Sequence, residues 1–213
     1  HIDALAGYTL QKKTYDRLGV EATGFADDRI HEVTGHGSNA SDISLYSTRK
    51  AAWAMMSFLT RVNYSFDDRY TLTGSFRADG SSRFGIDSRW GYFPSVSAGW
   101  TLSNEPFLKD ALKDVASIRL RASWGKSGNN DIGNYAFGQT PVSTTYEGSF
   151  TDAALGWETT RQTNVGIDLG FFNGRLNVIG NWYNSISTDI LYKYPISSIS
   201  GATSTTTNMS GAK

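Results

Sequence analysis

Two imidazoles and a carboxylate, His31, Glu32 and His36, fall close enough together to suggest a metal site. Zinc hydrolases that bind through one helix use histidines at i and i+4, so that both nitrogens leave the same face. His31 and His36 miss that spacing and lie in a polar stretch, so a solvated loop is expected and no metal. Gly35-His36-Gly37 has glycines but no strand-to-helix setting to make a phosphate loop. Asp67-Asp68 could pair an acid with a base, yet Asp is favoured in tight turns for its backbone geometry. Asn39-Ala40-Ser41, Asn63-Tyr64-Ser65 and Asn208-Met209-Ser210 match the glycosylation triplet, which has meaning in a eukaryotic secretory setting. Asn63 falls mid-strand. The chain has no cysteine, which removes thiolate nucleophiles, thiolate metal sites and disulfides together. No catalytic residue and no cofactor is expected.

What remains is recognition. The segment 127–156 holds Tyr135, Phe137, Tyr146 and Phe150 among Gly, Asn and Thr, and long loops on a rigid scaffold commonly carry binding. Aromatic faces suit sugar rings and peptide side chains alike. These four are the candidate substrate-binding residues, although packing on their own loop would use the same side chains.

The elements that must position these residues read as strands. Alternation of apolar and polar residues recurs from Ile2 to Leu10, Met56 to Phe66, Tyr70 to Ala78, Trp90 to Leu102 and Ile118 to Trp124. It returns from Thr163 to Phe171 and from Leu176 to Trp182. Period two over about seven segments is the strand signature. Asn173-Gly174 is the preferred type I′ pair and sets Phe171 opposite Leu176 and Leu169 opposite Val178. A three-residue turn at 67–69 sets Phe66 opposite Tyr70 and Tyr64 opposite Leu72. Ser103 to Leu108 reads as a capped single helical turn. Connections 13–52, 80–89, 127–156 and 186–213 are medium or long and polar, and they alternate with the tight turns.

Charge and hydropathy narrow the class. Twenty basic and twenty acidic residues give zero net charge with pI near 7.0, which argues against a nucleic-acid partner. Mean hydropathy is −0.36, with no apolar run long enough for a transmembrane helix. A barrel strand needs only alternate apolar residues, so a membrane stays open. Soluble strands average about 5–6 residues, whereas these runs reach ten or more, the length a tilted membrane strand needs. The expected fold is therefore all-β, a partial transmembrane antiparallel barrel with long extracellular loops and short periplasmic turns.

Each strand face then has a role. Val62, Leu72, Val96, Leu120, Ile167 and Val178 should meet lipid. Tyr64, Phe66, Tyr70, Trp100 and Phe171 form an aromatic girdle on the short-turn side; Tyr8, Trp90, Trp124, Trp157 and Trp182 form one near the long loops. Arg61, Arg77, Arg119, Arg121, Asn164 and Asp168 face the lumen, and so polar a lumen requires a wide barrel. Pro94 should mark a bulge near the outer rim.

Several runs resemble the SusC/RagA family of TonB-dependent outer-membrane transporters. They are Ser82-Arg83-Phe84-Gly85, Arg89 through Trp100, Leu102-Ser103-Asn104-Glu105-Pro106-Phe107, Leu120 through Asn129, and Leu155-Gly156-Trp157-Glu158-Thr159-Thr160. Asn164 through Asp168 and Asn173 through Leu176 fit as well. The resemblance is close and in order over 53–193 and looser over 1–52. It implies a 22-stranded barrel, of which this chain would be an arc within the barrel domain. The plug domain, TonB box, signal peptide and closing strand are expected to lie outside the chain. It also implies import of oligosaccharide or peptide substrate through the outer membrane of a Gram-negative bacterium. The implied partners are the TonB complex acting through the plug, a SusD-like surface lipoprotein as lid, outer-membrane lipid, and a dimer of transporter–lid pairs. For Arg119 and Arg121, salt links to the plug or to neighbouring strands come before substrate contact. Two other classes fit the alternation alone: a soluble carbohydrate-binding β-sandwich and a passive porin.

Overall fold

The computed structural model describes residues 1–23, 43–112, 115–134, 149–151, 154–197, 199 and 204–209, with the side chains of 17–22, 43–50 and 149–151 left undescribed. Seven long strands form one sheet in the order β1-β2-β3-β4-β5-β7-β8. They are β1 (Ile2–Ala22), β2 (Ile43–Phe66), β3 (Tyr70–Ser81), β4 (Trp90–Thr101), β5 (Ala116–Asn129), β7 (Glu158–Phe171) and β8 (Leu176–Thr188). The pairings from β2 to β8 are all antiparallel. The sheet does not close on itself, so it is an arc of a barrel. A second sheet, in the order β6-β10-β9, contains Ser149–Thr151, Ser204–Met209 and Ile190–Pro195. Its β6–β10 pair is parallel. The chain divides into two compact units, 1–11 with 54–213, and 12–53.

Turn chemistry sets the register as expected. Asn173 and Gly174 both have positive φ, at 54° and 81°, and the Arg175 amide donates to the Phe172 carbonyl at 3.3 Å. This is the type I′ geometry whose twist matches the flanking strands, and Phe171 faces Leu176 with Leu169 facing Val178. At the other hairpin Asp67 and Asp68 lie at φ 52° and 50°, the left-handed region that short Asp side chains tolerate. Phe66 pairs with Tyr70 and Tyr64 with Leu72.

Several boundaries differ from the sequence expectation. Strands β1 and β2 run to Ala22 and from Ile43, so only 23–42 connects them, not 13–52. The apolar period of β1 lapses at Lys12, Thr14 and Asp16 and that of β2 at Thr48 and Lys50, and a hydrophobic period cannot reveal a strand where it lapses. For the same reason, strands interrupt the other supposed loops. β3 ends at Ser81, β5 at Asn129 and β8 at Thr188, while β6, β9 and β10 lie inside the long connections. The segment after β4 is longer than one helical turn: a 3-10 turn over Leu102–Asn104 is followed by helix α1 (Pro106–Leu112).

Pro94 makes no bulge against β3, because Phe76 pairs with it inside an unbroken register. Instead the β4–β5 ladder ends at Ser95 opposite Gly125, one residue short of Pro94, which has no N–H to continue it. Among the described residues no helix is long and apolar enough to cross a membrane.

Candidate functional site

Alternation and register together sort the side chains onto two faces. Val62 shares a face with Gly74, Val96 and Trp124 through direct pairing. Trp100, Leu120, Ile167 and Gly180 make a second row of that face. Leu72 and Val178 belong to it also. Eight of the ten aromatic residues expected in the girdles, Tyr64, Phe66, Tyr70, Trp90, Trp100, Trp124, Phe171 and Trp182, fall on it. Rings stack across strands: Tyr64–Phe66–Tyr70–Trp100 follow one another at centroid spacings of 6.3–6.5 Å. Phe58 stacks on Trp90 and Phe76 on Tyr92.

The opposite face is polar. Arg61 lies opposite Ser75, Arg77 opposite Leu59, Arg119 opposite Asp168, Arg121 opposite Gly166, and Asn164 opposite Ser123. Thr71, Thr73, Ser97, Arg119, Arg121, Ser123, Asn164 and Asn181 line a depression of about 370 Å³ there. Arg121 donates from Nη2 to Asp168 Oδ1 and Asn181 Oδ1, both at 2.9 Å. A side chain at Gly166 would stand 2.7 Å from Asn181 Oδ1 and 3.0 Å from Arg121 Nη2, so glycine there is what lets the guanidinium lie across β7. Arg77 is tied to Asp79 at 2.6 Å and to Ser57. Arg61 and Arg119 have no carboxylate partner among the described residues. Cross-strand ion pairing thus accounts for Arg121 and leaves Arg119 available to another group.

The short-turn end is organised by a residue that sequence reasoning passed over. Glu105, 5% exposed, accepts from Tyr70 Oη, from Trp100 Nε1 at 2.8 Å and from Arg69 Nη1 at 3.1 Å. Arg69 also lies over the Phe66 and Tyr70 rings at 5.8 and 5.6 Å. Hydrogen bonds from Tyr70 and Trp100, then the Arg69 guanidinium, hold the Glu105 carboxyl below its usual range. The signal in the sequence was Glu105-Pro106 following a strand with Trp100 at its end, but nothing local shows that Tyr70 and Arg69 arrive from the neighbouring hairpin.

The long-loop end has an apolar core. Phe84, Phe93, Ile132, Leu155 and Trp157 are buried together, with Met55 and Leu191 against them. Trp157 packs on Phe84 and edge-on against Phe93, each at 5.3 Å, and donates from Nε1 to the Arg89 carbonyl at 3.0 Å. Trp157 is therefore not a girdle residue. It precedes β7, where the pleat no longer fixes which side a residue takes, and it packs against Phe93, the register partner of polar-face Arg77. Arg83 binds the Asn130 carbonyl and the Asn134 and Asp131 side chains. Asn208 grips the Gly156 amide and carbonyl and the Asp189 carbonyl at 2.8–3.0 Å, which ties β10 to the start of β7. The Ser-Arg-Phe-Gly, Phe-Pro and Leu-Gly-Trp motifs thus converge on one cluster.

Tyr135, Phe137, Tyr146 and the His31/His36 pair lie outside the described residues. Phe150 is placed by its backbone in β6, opposite Thr205. Among the described residues no group of three or more His, Cys, Asp or Glu side chains is placed to hold a metal.

An open antiparallel arc with one apolar, aromatic-bordered face and one polar face defines a membrane-barrel wall. The family model for the TonB dependent receptor-like β-barrel matches residues 4–213, and the chain belongs to that family. It is 34% identical over 203 residues to TonB-dependent receptor P39 of Formosa agariphila, covering 92% of this chain and 19% of that protein. It is 38% identical over 157 residues to TonB-dependent receptor SusC of Bacteroides thetaiotaomicron, covering 66% and 15%. The structure of the RagAB peptide transporter superposes with a TM-score of 0.78 at 30% identity, covering 97% of this chain and 24% of that one. The chain therefore spans about a fifth of the length of the relatives it matches.

Proposed function

We propose that this chain forms part of the wall of a SusC-like outer-membrane importer of glycan or peptide oligomers. It would be energised by TonB through a plug domain, with a SusD-like lipoprotein over the long connections and pairing into a dimer of transporter–lid units. The carrying observation is the bare apolar face. Val62, Leu72, Val96, Val165 and Val178 stay 45–50% exposed, whereas the apolar faces of a sandwich are covered by a second sheet. In this reading the aromatic borders meet lipid headgroups, and Arg61, Arg77, Arg119, Arg121, Asn164 and Asp168 line the lumen. The relatives named as receptors and as a peptide transporter support an importer over a passive porin.

Tyr135, Phe137, Tyr146 and Phe150 are the proposed substrate contacts. Deleting all of 132–150 would remove Ile132 from the buried cluster and Phe150 from β6. The test is therefore a deletion of 135–148 in the intact receptor. Uptake of labelled oligosaccharide and peptide pools, or capture of the lid lipoprotein, should be lost while the barrel still assembles. Undiminished uptake and capture would remove this loop from the mechanism. TonB-independent uptake by the unaltered receptor would overturn the importer in favour of the porin.

A further inference from the structure

The outward face changes character part-way along β5 and β7. Going away from the short turns it reads Ile118, Leu120, Ala122, Trp124 and then Lys126 on β5. On β7 it reads Phe171, Leu169, Ile167, Val165, Thr163 and then Arg161, and on β8 it passes Trp182 and Asn184 to reach Ile186, the partner of Arg161 on that side. Lys126 and Arg161 are direct cross-strand partners, on the face of Trp124 and Val165 by alternation. Two cations in that position have Cβ atoms about 4.5–5.5 Å apart and repel one another.

Among the described residues no carboxylate relieves them, neither side chain makes a hydrogen bond or ion pair, and the two acids of β7 lie on the opposite face and are engaged elsewhere. Glu158 accepts from Asn129 and from the Leu191 amide, and Asp168 pairs with Arg121. Ten residues of strand separate Arg161 from Phe171. At about 3.3 Å per residue and a tilt near 45°, that is a rise of about 23 Å, the height of the apolar band of a barrel. The pair therefore sits just beyond the apolar band, on the long-loop side.

We propose that Lys126 and Arg161 form a binding site for the phosphate of an outer-leaflet lipid headgroup. A phosphate between them converts the repulsion into two charge-assisted contacts, with the arginine fork offering bidentate geometry and the lysine a point charge. Trp124 and Trp182 would flank the upper end of the acyl chains. This assignment rests on the membrane reading above, because a soluble sheet would have no lipid at that height.

The test uses the intact receptor purified in a neutral detergent, with native mass spectrometry counting bound lipid. The probes are phosphorylated lipid A, the same lipid dephosphorylated, and inorganic phosphate. The variants are K126Q/R161Q and K126E; the latter places Glu opposite Arg161 and so keeps the strand pair intact. Both should bind phosphorylated lipid A about ten- to a hundredfold more weakly than the unaltered protein. The dephosphorylated lipid should not distinguish the three proteins. Lipid A binding by K126E within about twofold of the unaltered receptor would overturn the site. Competition by inorganic phosphate as effective as that of lipid A would overturn the lipid as its source. A receptor extracted without detergent would instead refute the membrane reading itself, so the two failures are distinguishable.

Discussion

The two ends of the strand array are closed by different physics. At the short-turn end a single buried carboxylate gathers three polar donors, Arg69, Tyr70 and Trp100, from two adjacent connections. At the long-loop end five apolar side chains from separate stretches of chain exclude water together, with polar links from Arg83 and Asn208 around them. Hairpins bring few residues to an end, so directional hydrogen bonds suffice there. Long connections bring enough apolar surface to build a small core. Three of the motifs that resemble the family, Ser82 to Gly85, Leu102 to Phe107 and Leu155 to Thr160, mark these closures.

Removing the central ring of the core should separate the two ends most sharply. Trp157→Ala is expected to cost about 3–5 kcal/mol, since Trp157 is 9% exposed and touches both Phe84 and Phe93. Limited proteolysis of the assembled receptor should then cut within 82–89 or 130–134 while the turn at 67–69 stays resistant. Equal loosening of both ends would contradict their independence.

A charge placed between the ends tests the two faces that join them. Val96→Arg should cost about 2–4 kcal/mol at mid-membrane depth and Ser97→Arg much less, measured by reversible folding into bilayers. Equal costs would count against a lipid-facing Val96.

The polar clamp at the long-loop end is expected to matter less than the core. Asn208→Ala leaves the Gly156 amide and carbonyl without their partner, at about 1–3 kcal/mol. Amide exchange should rise at β10 and 155–157 and not at β7 beyond Thr163. Exchange spreading along β7 would mean that the clamp supports the wall as well.

The mildest change at neutral pH is expected from Glu105→Gln, which can still accept from Tyr70 and Trp100, while Arg69 keeps Asp67 at 2.7 Å. Its signature is pH dependence. The Glu105 carboxyl is held below its usual value near 4.5, so its contribution is complete above that value and is lost as pH falls through the lower folded value. Amide exchange at 102–105 should therefore rise in acid in the unaltered protein and stay flat in the variant. An acid response surviving in Glu105→Gln would assign it to another group.

Much of this was legible in the chain. Alternation separates the faces, and Asn173-Gly174 and Asp67-Asp68 fix the turns, so the register of β2 with β3 and of β7 with β8 follows before any coordinates. The extensions of β1 and β2 were not legible, because the apolar period lapses at Lys12, Thr14 and Asp16 and again at Thr48 and Lys50. Neither was β10: Ser204 to Met209 is rich in β-branched threonine, but its partners are 9–19 positions away in β9 and 55 away in β6.

By itself, then, the sequence determined which side of the sheet each strand residue takes, since a period of two leaves no other choice once one face must be apolar. Only the tertiary structure decided what covers a side chain. Trp182 and Trp157 are both expected, from the sequence, in the aromatic border near the long loops. Trp182 stays 60% exposed on the outer face, while Trp157 is buried against Phe84 and Phe93. The difference arises because Trp182 is held within the pleat of β8, whereas Trp157 lies just before β7. There, contacts with residues more than sixty positions away choose its direction.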